Sequence, residues 1–403
     1  MARKMKDSGI EWIGEIPEGW EVVPVKRLCT MQAGKNLTSE QIAPEGTYPV
    51  YGGNGIRGFF SDYNCDGQFL TVGRQGALCG NVHKINGKVW ATEHAVITTP
   101  SSYTILDFLY YLLIGMDLNQ YVSSTAAQPG LAVGTLLNLK TCYPCSTLEQ
   151  TQISNYLNAK CSEIDVMLTK TRSSIEEYKK LKQAVITQAV TKGVRGEREI
   201  KESKLPWASK IPKAWNICAI RHIMFECKER TKDGHEEQLS VTQQFGIIKS
   251  SDASIANPSL SLDDWRIVAI GDIVFNKYKA HSGVFFVSPF SGIVTFNYSV
   301  YRCFPNCYAK YFEYQYKTHG CISEFRTRMH GVGNSISPLY TKDLMKIKVV
   351  CPPLDEQKEI ANYLDAKCAE IDRLIAKKEQ LVKELESYKK SLIYEVVTGK
   401  REV

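Results

Sequence analysis

Residues 356–398 read EQKEIANYLDAKCAEIDRLIAKKEQLVKELESYKKSLIYEVVT, and residues 149–191 read EQTQISNYLNAKCSEIDVMLTKTRSSIEEYKKLKQAVITQAVT. The two stretches share the strings EQ, NYL, AKC and EID in the same order, 207 positions apart. Self-similarity over this length indicates that one structural plan is used twice. The chain is therefore expected to contain two related halves, each ending in one copy of this stretch.

Both copies are predicted to be long helices, because their apolar residues recur mostly at steps of three and four and charges occupy the other positions. Prolines precede both copies, and Gly193 and Gly399 stand where the helices should stop. So narrow an apolar stripe is typical of a coiled-coil seam. The predicted seam residues are Ile164, Leu168 and Ile175 in the first copy, and Leu374, Leu381, Leu385 and Leu392 in the second.

A heptad stripe is more often an oligomerisation zipper or a core helix than an internal pair. An internal pair is favoured here because both copies lie in one chain, have similar lengths and each follow an equivalent region. The economical arrangement is two antiparallel helices related by a pseudo-two-fold axis, each carrying one globular unit near one end.

A second repeat opens each half. Residues 12–20 (WIGEIPEGW) return as residues 207–215 (WASKIPKAW), 195 positions later. The shared proline fixes φ and breaks any helix at that point, so each copy is interpreted as an extended lead-in to a globular unit.

The regions between lead-ins and helices have the pattern of β-rich domains. Short β-favouring runs at residues 48–51, 68–72 and 89–92 are separated by glycine- and asparagine-rich turns. The second half repeats this style, with strands expected near 267–270, 272–276, 284–287 and 293–295. One helix is predicted in each region, near 104–116 and 308–317.

Composition places the chain among ordinary globular proteins. Its 403 residues are 43% hydrophobic and 23% charged, which suits two or three domains and excludes a disordered chain. No apolar run approaches the roughly 20 residues of a membrane helix, and the first residues lack the apolar core of a secretory signal. Thirteen cysteines inside apolar stretches are expected to be reduced and buried, in a cytoplasmic protein. The net charge of +7 weakly favours a polyanionic partner.

A search for catalytic motifs finds none. The sequence has no GxxxxGK[ST] and no GxGxxG after a strand, and its one PP lacks the context of an amino-methyltransferase motif. Cys142-x-x-Cys145 has no second ligand pair at zinc spacing, so no metal site is predicted. The sequence thus contains no recognisable enzyme signature.

Side chains suited to DNA are easier to find. Arginine and lysine bind guanine O6 and N7, asparagine and glutamine pair with adenine, and glycine neighbours allow close approach to phosphate. The candidates are Asn54, Arg57, Arg74 and Gln75 in the first half, and Lys277, Tyr278, Lys279, His281, Arg326, Arg328 and Asn334 in the second. About one in three of them is expected to contact a base.

Several strings resemble specificity subunits of Type I restriction–modification enzymes. They are DSGIEWIGEIPEGW at 7–20, YGGNGIRG at 51–58, GNVH at 80–83 with WAT at 90–92, GDIVFN at 271–276 and PPLDEQ at 352–357. The resemblance covers essentially the whole chain. It departs at 144–150 (PCSTLEQ), which lacks the second proline, and at the second lead-in, which has lost the DSG start.

This resemblance implies an α+β architecture of two β-rich α/β target recognition domains joined by two long antiparallel coiled-coil helices. The expected boundaries are 1–145 for the first recognition domain with its lead-in, 146–196 for the first helix, 197–350 for the second domain and 351–403 for the second helix. Each domain would read one half of an asymmetric, bipartite double-stranded DNA target.

The resemblance also implies partners. The helices would dock two modification (methyltransferase) subunits that use S-adenosylmethionine, and two restriction subunits would add ATP- and Mg-dependent translocation and cleavage. The chain itself would be a non-catalytic subunit that binds no cofactor.

The length of the predicted helices limits the distance between the two half-sites. A helix of about 43 residues spans roughly 65 Å, which limits the separation of the half-sites to roughly 19 base pairs. Two other hypotheses remain open: a stand-alone dimeric DNA-binding regulator with a coiled-coil zipper, and an enzyme whose active site has no recognisable motif.

Overall fold

The computed structural model describes residues 3–76, 79–122, 130–232, 234–243, 245–253, 264–329 and 338–403. Two compact units divide the chain. The first comprises the chain up to Arg172 together with Glu379–Val403, and the second comprises Ser173–Lys378. Both boundaries fall inside the repeated stretch, so each unit contains the beginning of one copy and the end of the other.

The first unit is built mainly from short antiparallel strands. Its described strands are β1 (Met5–Asp7), β2 (Glu15–Pro17), β3 (Trp20–Pro24), β4 (Cys29–Ala33), β5 (Tyr48–Gly52), β6 (Gly55–Phe60), β7 (Gln68–Gly73), β8 (Val82–Asn86), β9 (Trp90–Ala91), β10 (Ala95–Pro100) and β11 (Lys140–Pro144). A four-stranded sheet has the order β4-β10-β7-β8, and a three-stranded sheet has the order β6-β5-β9. Two short helices, α1 (Leu106–Gly115) and α2 (Val133–Asn138), accompany them.

The second unit repeats this plan. Its described strands are β12 (Ile200–Glu202), β13 (Lys210–Pro212), β14 (Asn216–Ala219), β15 (Met224–Cys227), β16 (Leu239–Thr242), β17 (Gly246–Lys249), β18 (Arg266–Val268), β19 (Ile273–Asn276), β20 (Phe285–Val287), β21 (Gly292–Val294), β22 (Tyr298–Cys303) and β23 (Lys348–Cys351). The four-stranded sheet, β15-β22-β19-β20, has the same connectivity pattern as its counterpart in the first unit. The short helices α4 (Ala309–Tyr316), α5 (His319–Arg328) and α6 (Thr341–Leu344) complete the unit.

Two long helices form the repeated stretch. Helix α3 (Thr147–Lys192) has 46 residues, and helix α7 (Leu354–Val397) has 44 residues. The predicted stop signals are confirmed: Gly193 and Gly399 have φ values of 81° and 72°. Side chains with a Cβ rarely adopt this left-handed conformation, which glycine takes freely at the C-terminal ends of helices.

A tryptophan clamp attaches each lead-in to the start of a long helix. In the first unit, the Trp20 indole Nε1 donates to Glu149 Oε1 over 3.0 Å. In the second, Trp215 Nε1 donates to Glu356 Oε2 over the same distance. An arginine also pairs with each glutamate, Arg3 over 2.7 Å and Arg198 over 2.6 Å. The two repeats seen in the sequence therefore contact each other within each unit.

The ends of the long helices belong to the cores of both units. The first core includes Leu157 and Ile164 from α3 and Val396 from α7. The second includes Val190 from α3 and Leu364 from α7. All thirteen cysteines are free: seven are buried, five are half-buried and Cys145 is exposed.

Burial corrects part of the predicted seam. Ile164, Leu168, Ile175 and Leu392 are buried, and Leu385 packs against the first core. The prediction is wrong for Leu374 and Leu381, which are 36% and 42% exposed. Ile375 and Val382 are half-buried beside them, so the inward face lies one residue further along the helix.

The inward positions of both helices form a strict heptad pattern with alternating steps of four and three. Every position is buried or half-buried. In α3 they are residues 164, 168, 171, 175, 178, 182 and 185, and in α7 they are residues 371, 375, 378, 382, 385, 389 and 392. Lys182, Lys378 and Lys389 occupy three of these positions. A prediction made from apolar residues alone passes over lysines at inward positions and selects the leucines next to the seam. This explains why Leu374 and Leu381 were wrongly assigned to it.

Candidate nucleic-acid interface

In the first unit, two loops carrying candidate residues lie in backbone contact. A Cβ added to Gly73 would collide with the carbonyl oxygen of Gly53, and one added to Gly53 would lie 2.9 Å from the carbonyl oxygen of Gln75. Glycine at both positions permits this close approach. The structure therefore brings Asn54, in the turn between β5 and β6, close to Arg74 and Gln75, which follow β7.

An asparagine and a histidine that the sequence analysis did not select join this group. Asn81 donates its side-chain N–H to Asn54 Oδ1 over 2.7 Å. His83 packs against Gly55, where an added Cβ would lie 3.4 Å from the imidazole Cε1. Burial lowers the pKa of the His83 imidazole, because it disfavours the charged form. The available signal was the GNVH string at 80–83, which is one of the strings that resemble the specificity subunits.

The two candidate arginines of this unit differ in how accessible their side chains are. Arg57 is exposed on β6, and its side chain lies over Gly52. Within the described part of the chain, Arg57 has no hydrogen-bond or ion-pair partner. Arg74 is half-buried, and its backbone is held by His94 and Leu131. Arg57 is therefore the better placed of the two for contact with a nucleic acid.

In the second unit, a 3₁₀ turn over Lys277–Ser282 presents the candidate residues. Asn276 Oδ1 caps this turn by accepting the backbone N–H groups of Tyr278 over 3.0 Å and Lys279 over 3.1 Å. The side chains of Tyr278 and Lys279 are exposed. Lys277 donates to the Phe296 carbonyl oxygen over 3.2 Å, and burial together with nearby Arg266 lowers the pKa of its ammonium.

Helix α5 adds further candidates to this surface. Arg326 donates from Nη2 to the carbonyl oxygen of His281 over 3.2 Å, which links α5 to the 3₁₀ turn. Arg328 is half-buried near the end of the helix. Asn334 lies outside the described residues. The structure thus brings His281 and Arg326 together beside Lys277–Lys279.

The described residues were also compared with the requirements of two other features, a metal site and a membrane-spanning helix, and they meet neither. No group of three or more His, Cys, Asp or Glu side chains among them could hold a metal ion. None of the helices in the described part of the chain combines the length and apolarity needed to cross a membrane.

The two α/β units share one plan. Each is clamped to a long helix, and each presents exposed basic and amide side chains on short loops. Together these features define a class of duplicated recognition protein. The particular family follows from comparison with known proteins. The chain belongs to the family described as "Type I restriction modification DNA specificity domain", whose model matches residues 17–177 and 243–385. The resemblance found in the sequence is confirmed, and the chain is a specificity subunit of the type I restriction–modification class.

Two curated relatives have matching names. The chain is 44% identical over 121 residues to the Type I restriction enzyme EcoprrI specificity subunit of Escherichia coli, a match that covers 29% of this chain and 30% of that relative. It is 25% identical over 431 residues to the putative type I restriction enzyme MjaX specificity subunit of Methanocaldococcus jannaschii, covering 96% and 95%.

Solved structures share the fold. A chain from a study of complex assembly and conformational transition of the type I R-M system has a TM-score of 0.67 and 13% identity, over 96% of this chain and 99% of that one. The HsdS subunit from Thermoanaerobacter tengcongensis has a TM-score of 0.51 and 14% identity, over 98% and 100%.

Proposed function

We propose that the chain reads a bipartite, asymmetric sequence in double-stranded DNA. The first unit would contact one half-site through Asn54, Arg57, Arg74 and Gln75. The second would contact the other half-site through Lys277, Tyr278, Lys279, His281, Arg326, Arg328 and Asn334. The recognition domains would correspond to residues 1–145 and 197–350, and the connecting helices to 146–196 and 351–403.

One observation carries this proposal: the ion pairs of the long helices are reciprocal. Lys389 contacts Asp165 in the first unit, and Lys182 contacts Asp372 in the second. These residues are related by the 207-position repeat, so each helix finds its partner within the same chain. Pairing of this kind argues against a zipper between two chains, since the seam is already occupied.

The long helices would set the distance between half-sites. At 1.5 Å per residue, a helix of 46 residues is about 69 Å long. This length supports an antiparallel coiled coil as a spacer, with its outward faces available to two modification subunits. A helical spacer also fits half-sites about one turn apart on the same face of the duplex.

The chain would act without catalysis of its own. S-adenosylmethionine would be bound by the modification subunits, and ATP and Mg by two restriction subunits. The absence of a nucleotide-binding sequence motif supports this division of labour. Because the named relatives are specificity subunits, the same assignment extends naturally to this chain.

Methylome sequencing tests the proposal. Co-expression of the chain with its modification subunit should produce methyl-adenine within one bipartite motif, and omission of the chain should abolish it. A continuous motif, or methylation that persists without the chain, would contradict the proposal. Incubation of the purified chain alone with DNA and S-adenosylmethionine or Mg²⁺ should give no turnover.

A further inference from the structure

A groove of about 440 Å³ opens beside the 3₁₀ turn of the second unit. The hydrogen-bonding side chains that line it come from three separate segments. They include Ser240, Thr242, Asn276, Lys279, Thr295 and Asn297. Among the described lining residues none carries a carboxylate, so the groove offers hydroxyl, amide and ammonium groups without negative charge. This set suits a polyanion whose surface also presents donors and acceptors.

An exposed phenylalanine stands at the edge of this groove. Thr295–Tyr298 form a turn between β21 and β22, closed by the Tyr298 N–H donating to the Thr295 carbonyl oxygen over 3.0 Å. Phe296 lies at its tip and is 66% exposed, between the groove residues Thr295 and Asn297. The Lys277 ammonium donates to the Phe296 carbonyl oxygen over 3.2 Å, which ties the turn to the candidate DNA-binding segment.

The chemistry of DNA limits what this phenylalanine can contact. In the major groove, base edges present hydrogen-bond donors and acceptors, and thymine adds the C5-methyl group. The polar side chains of the groove match the donors and acceptors. An exposed aromatic ring beside them matches the methyl group, because packing the two together removes apolar surface of both from water.

We propose that Phe296 packs against the C5-methyl group of a thymine in the half-site read by the second unit, while Lys279 and Asn297 contact neighbouring base edges. This inference rests on the proposed function and goes beyond it by naming a specificity contact. It requires that the half-site whose readout depends on Lys279 contain at least one A·T pair.

The test uses the assembled modification complex and duplexes of its methylome-defined target. Each thymine of the Lys279-dependent half-site is replaced in turn by uracil, which lacks only the methyl group. One such replacement should weaken binding by the wild-type complex about fourfold, the effect of losing one buried methyl group. The same replacement should leave binding by a Phe296→Ala complex unchanged, and Phe296→Leu should keep part of the discrimination.

Phe225→Ala provides a matched control. Phe225, on β15, is also an exposed phenylalanine of the second unit, but it packs against Phe304, and neither Phe225 nor its chain neighbours line the groove. The control complex should retain the wild-type response to uracil. Uracil in the other half-site should affect wild type and Phe296→Ala equally.

Three results would overturn the inference: a Lys279-dependent half-site without an A·T pair, wild-type binding unaffected by uracil at every position, or a Phe296→Ala complex that still discriminates thymine from uracil. Failure of the proposed function is a different outcome, since the complex would then yield no bipartite motif. A bipartite motif with uracil-insensitive binding refutes only the thymine contact.

Discussion

Lys389 and Asp165 join the two long helices in the first unit, where the Lys389 ammonium lies 2.6 Å and 2.7 Å from the two carboxylate oxygens of Asp165. Lys182 and Asp372 make the same contact in the second unit, at 2.7 Å and 2.6 Å. Adding 207 to 165 and to 182 gives 372 and 389. Asp165 and Asp372 therefore occupy equivalent positions of the repeat, and so do Lys182 and Lys389. Each unit therefore contains the same Lys–Asp pair, with one residue taken from each long helix.

These pairs also explain two of the three inward lysines, Lys182 and Lys389. Each lysine lays its aliphatic stem along the seam and places its ammonium beside an aspartate of the other helix. A lysine at a seam position is known to specify register at some cost in stability. The charges therefore indicate how the helices are aligned.

Reversing one charge should weaken this alignment. Lys389→Asp places like charges opposite each other and should lower the free energy of unfolding by about 1 kcal/mol at low salt. Combining it with Asp165→Lys should restore most of the loss in a urea titration. Lys160→Glu is the control, because the partner of Lys160 is Glu163 on the same helix. No recovery in the double variant would show that the pair does not contribute to register.

The tryptophan clamps should differ in strength. Glu356 is 6% exposed, whereas Glu149 is half-buried. Glu356→Gln removes the negative charge that neutralises the Arg198 guanidinium, and the site has little access to water. The substitution should therefore destabilise the second unit by about 1–3 kcal/mol. Glu149→Gln should destabilise the first unit by less. Hydrogen exchange measured separately for amides of the two units checks this order, and equal or reversed effects would contradict it.

Readout of the two half-sites should be separable. Arg57→Ala or Arg74→Ala should relax one half of the methylated motif, and Lys277→Ala or Lys279→Ala the other. A lost base contact is expected to cost about 1–3 kcal/mol of discrimination. Arg57→Ala should give the cleaner result, because Arg74 is half-buried and also supports the fold. A variant of one unit that alters both halves equally would disprove the separation.

Helix length should control the spacer. Insertion of seven residues after Arg172 and seven after Lys378 keeps the heptad pattern in α3 and α7. It should lengthen the spacer by about three base pairs and leave both half-sites unchanged, since seven helical residues span about 10 Å. An insertion in only one helix should disturb the pairing and reduce methylation. Changed half-site bases in the methylome would contradict a spacer role.

The close approach of Gly53 and Gly73 should be required for readout by the first unit. Gly73→Ala forces a Cβ against the Gly53 carbonyl oxygen, so it should displace Asn54 and reduce methylation. Gly134→Ala in α2 is the control, because an added Cβ meets nothing within 4 Å there. Its effect on methylation and stability should be small. A Gly73→Ala protein with normal activity would show that the loops tolerate separation.

Much of the fold could be predicted from local pattern. The helix expected near 104–116 is α1, and the strand expected at 272–276 is β19, because each has a period or a turn signal within a short window. The seam was predicted less well. Leu374 and Leu381 satisfy a search for apolar residues, yet the inward face passes through Ile375, Lys378 and Val382, which only the alignment with the other helix identifies.

The candidate site likewise contains residues that could be selected from the sequence and residues that only the structure identifies. Side-chain chemistry and glycine neighbours were sufficient to select Arg57 and Lys279. They were not sufficient to select Asn81 or Thr242, since these residues contribute through contacts with segments distant in the sequence. Phe296 was missed for a related reason: an exposed phenylalanine carries no signal until its neighbours across the turn are known.

The sequence by itself determined the duplication, the family and the two long helices, because repeats, strings and heptads are properties of order along the chain. Only the tertiary structure decided which turn of each helix faces its partner, that Trp20 and Trp215 bind the glutamates at the helix starts, and that Lys389 meets Asp165. These contacts join residues more than a hundred positions apart. Their partners are selected by packing in three dimensions, where burial of apolar area and pairing of opposite charges act together.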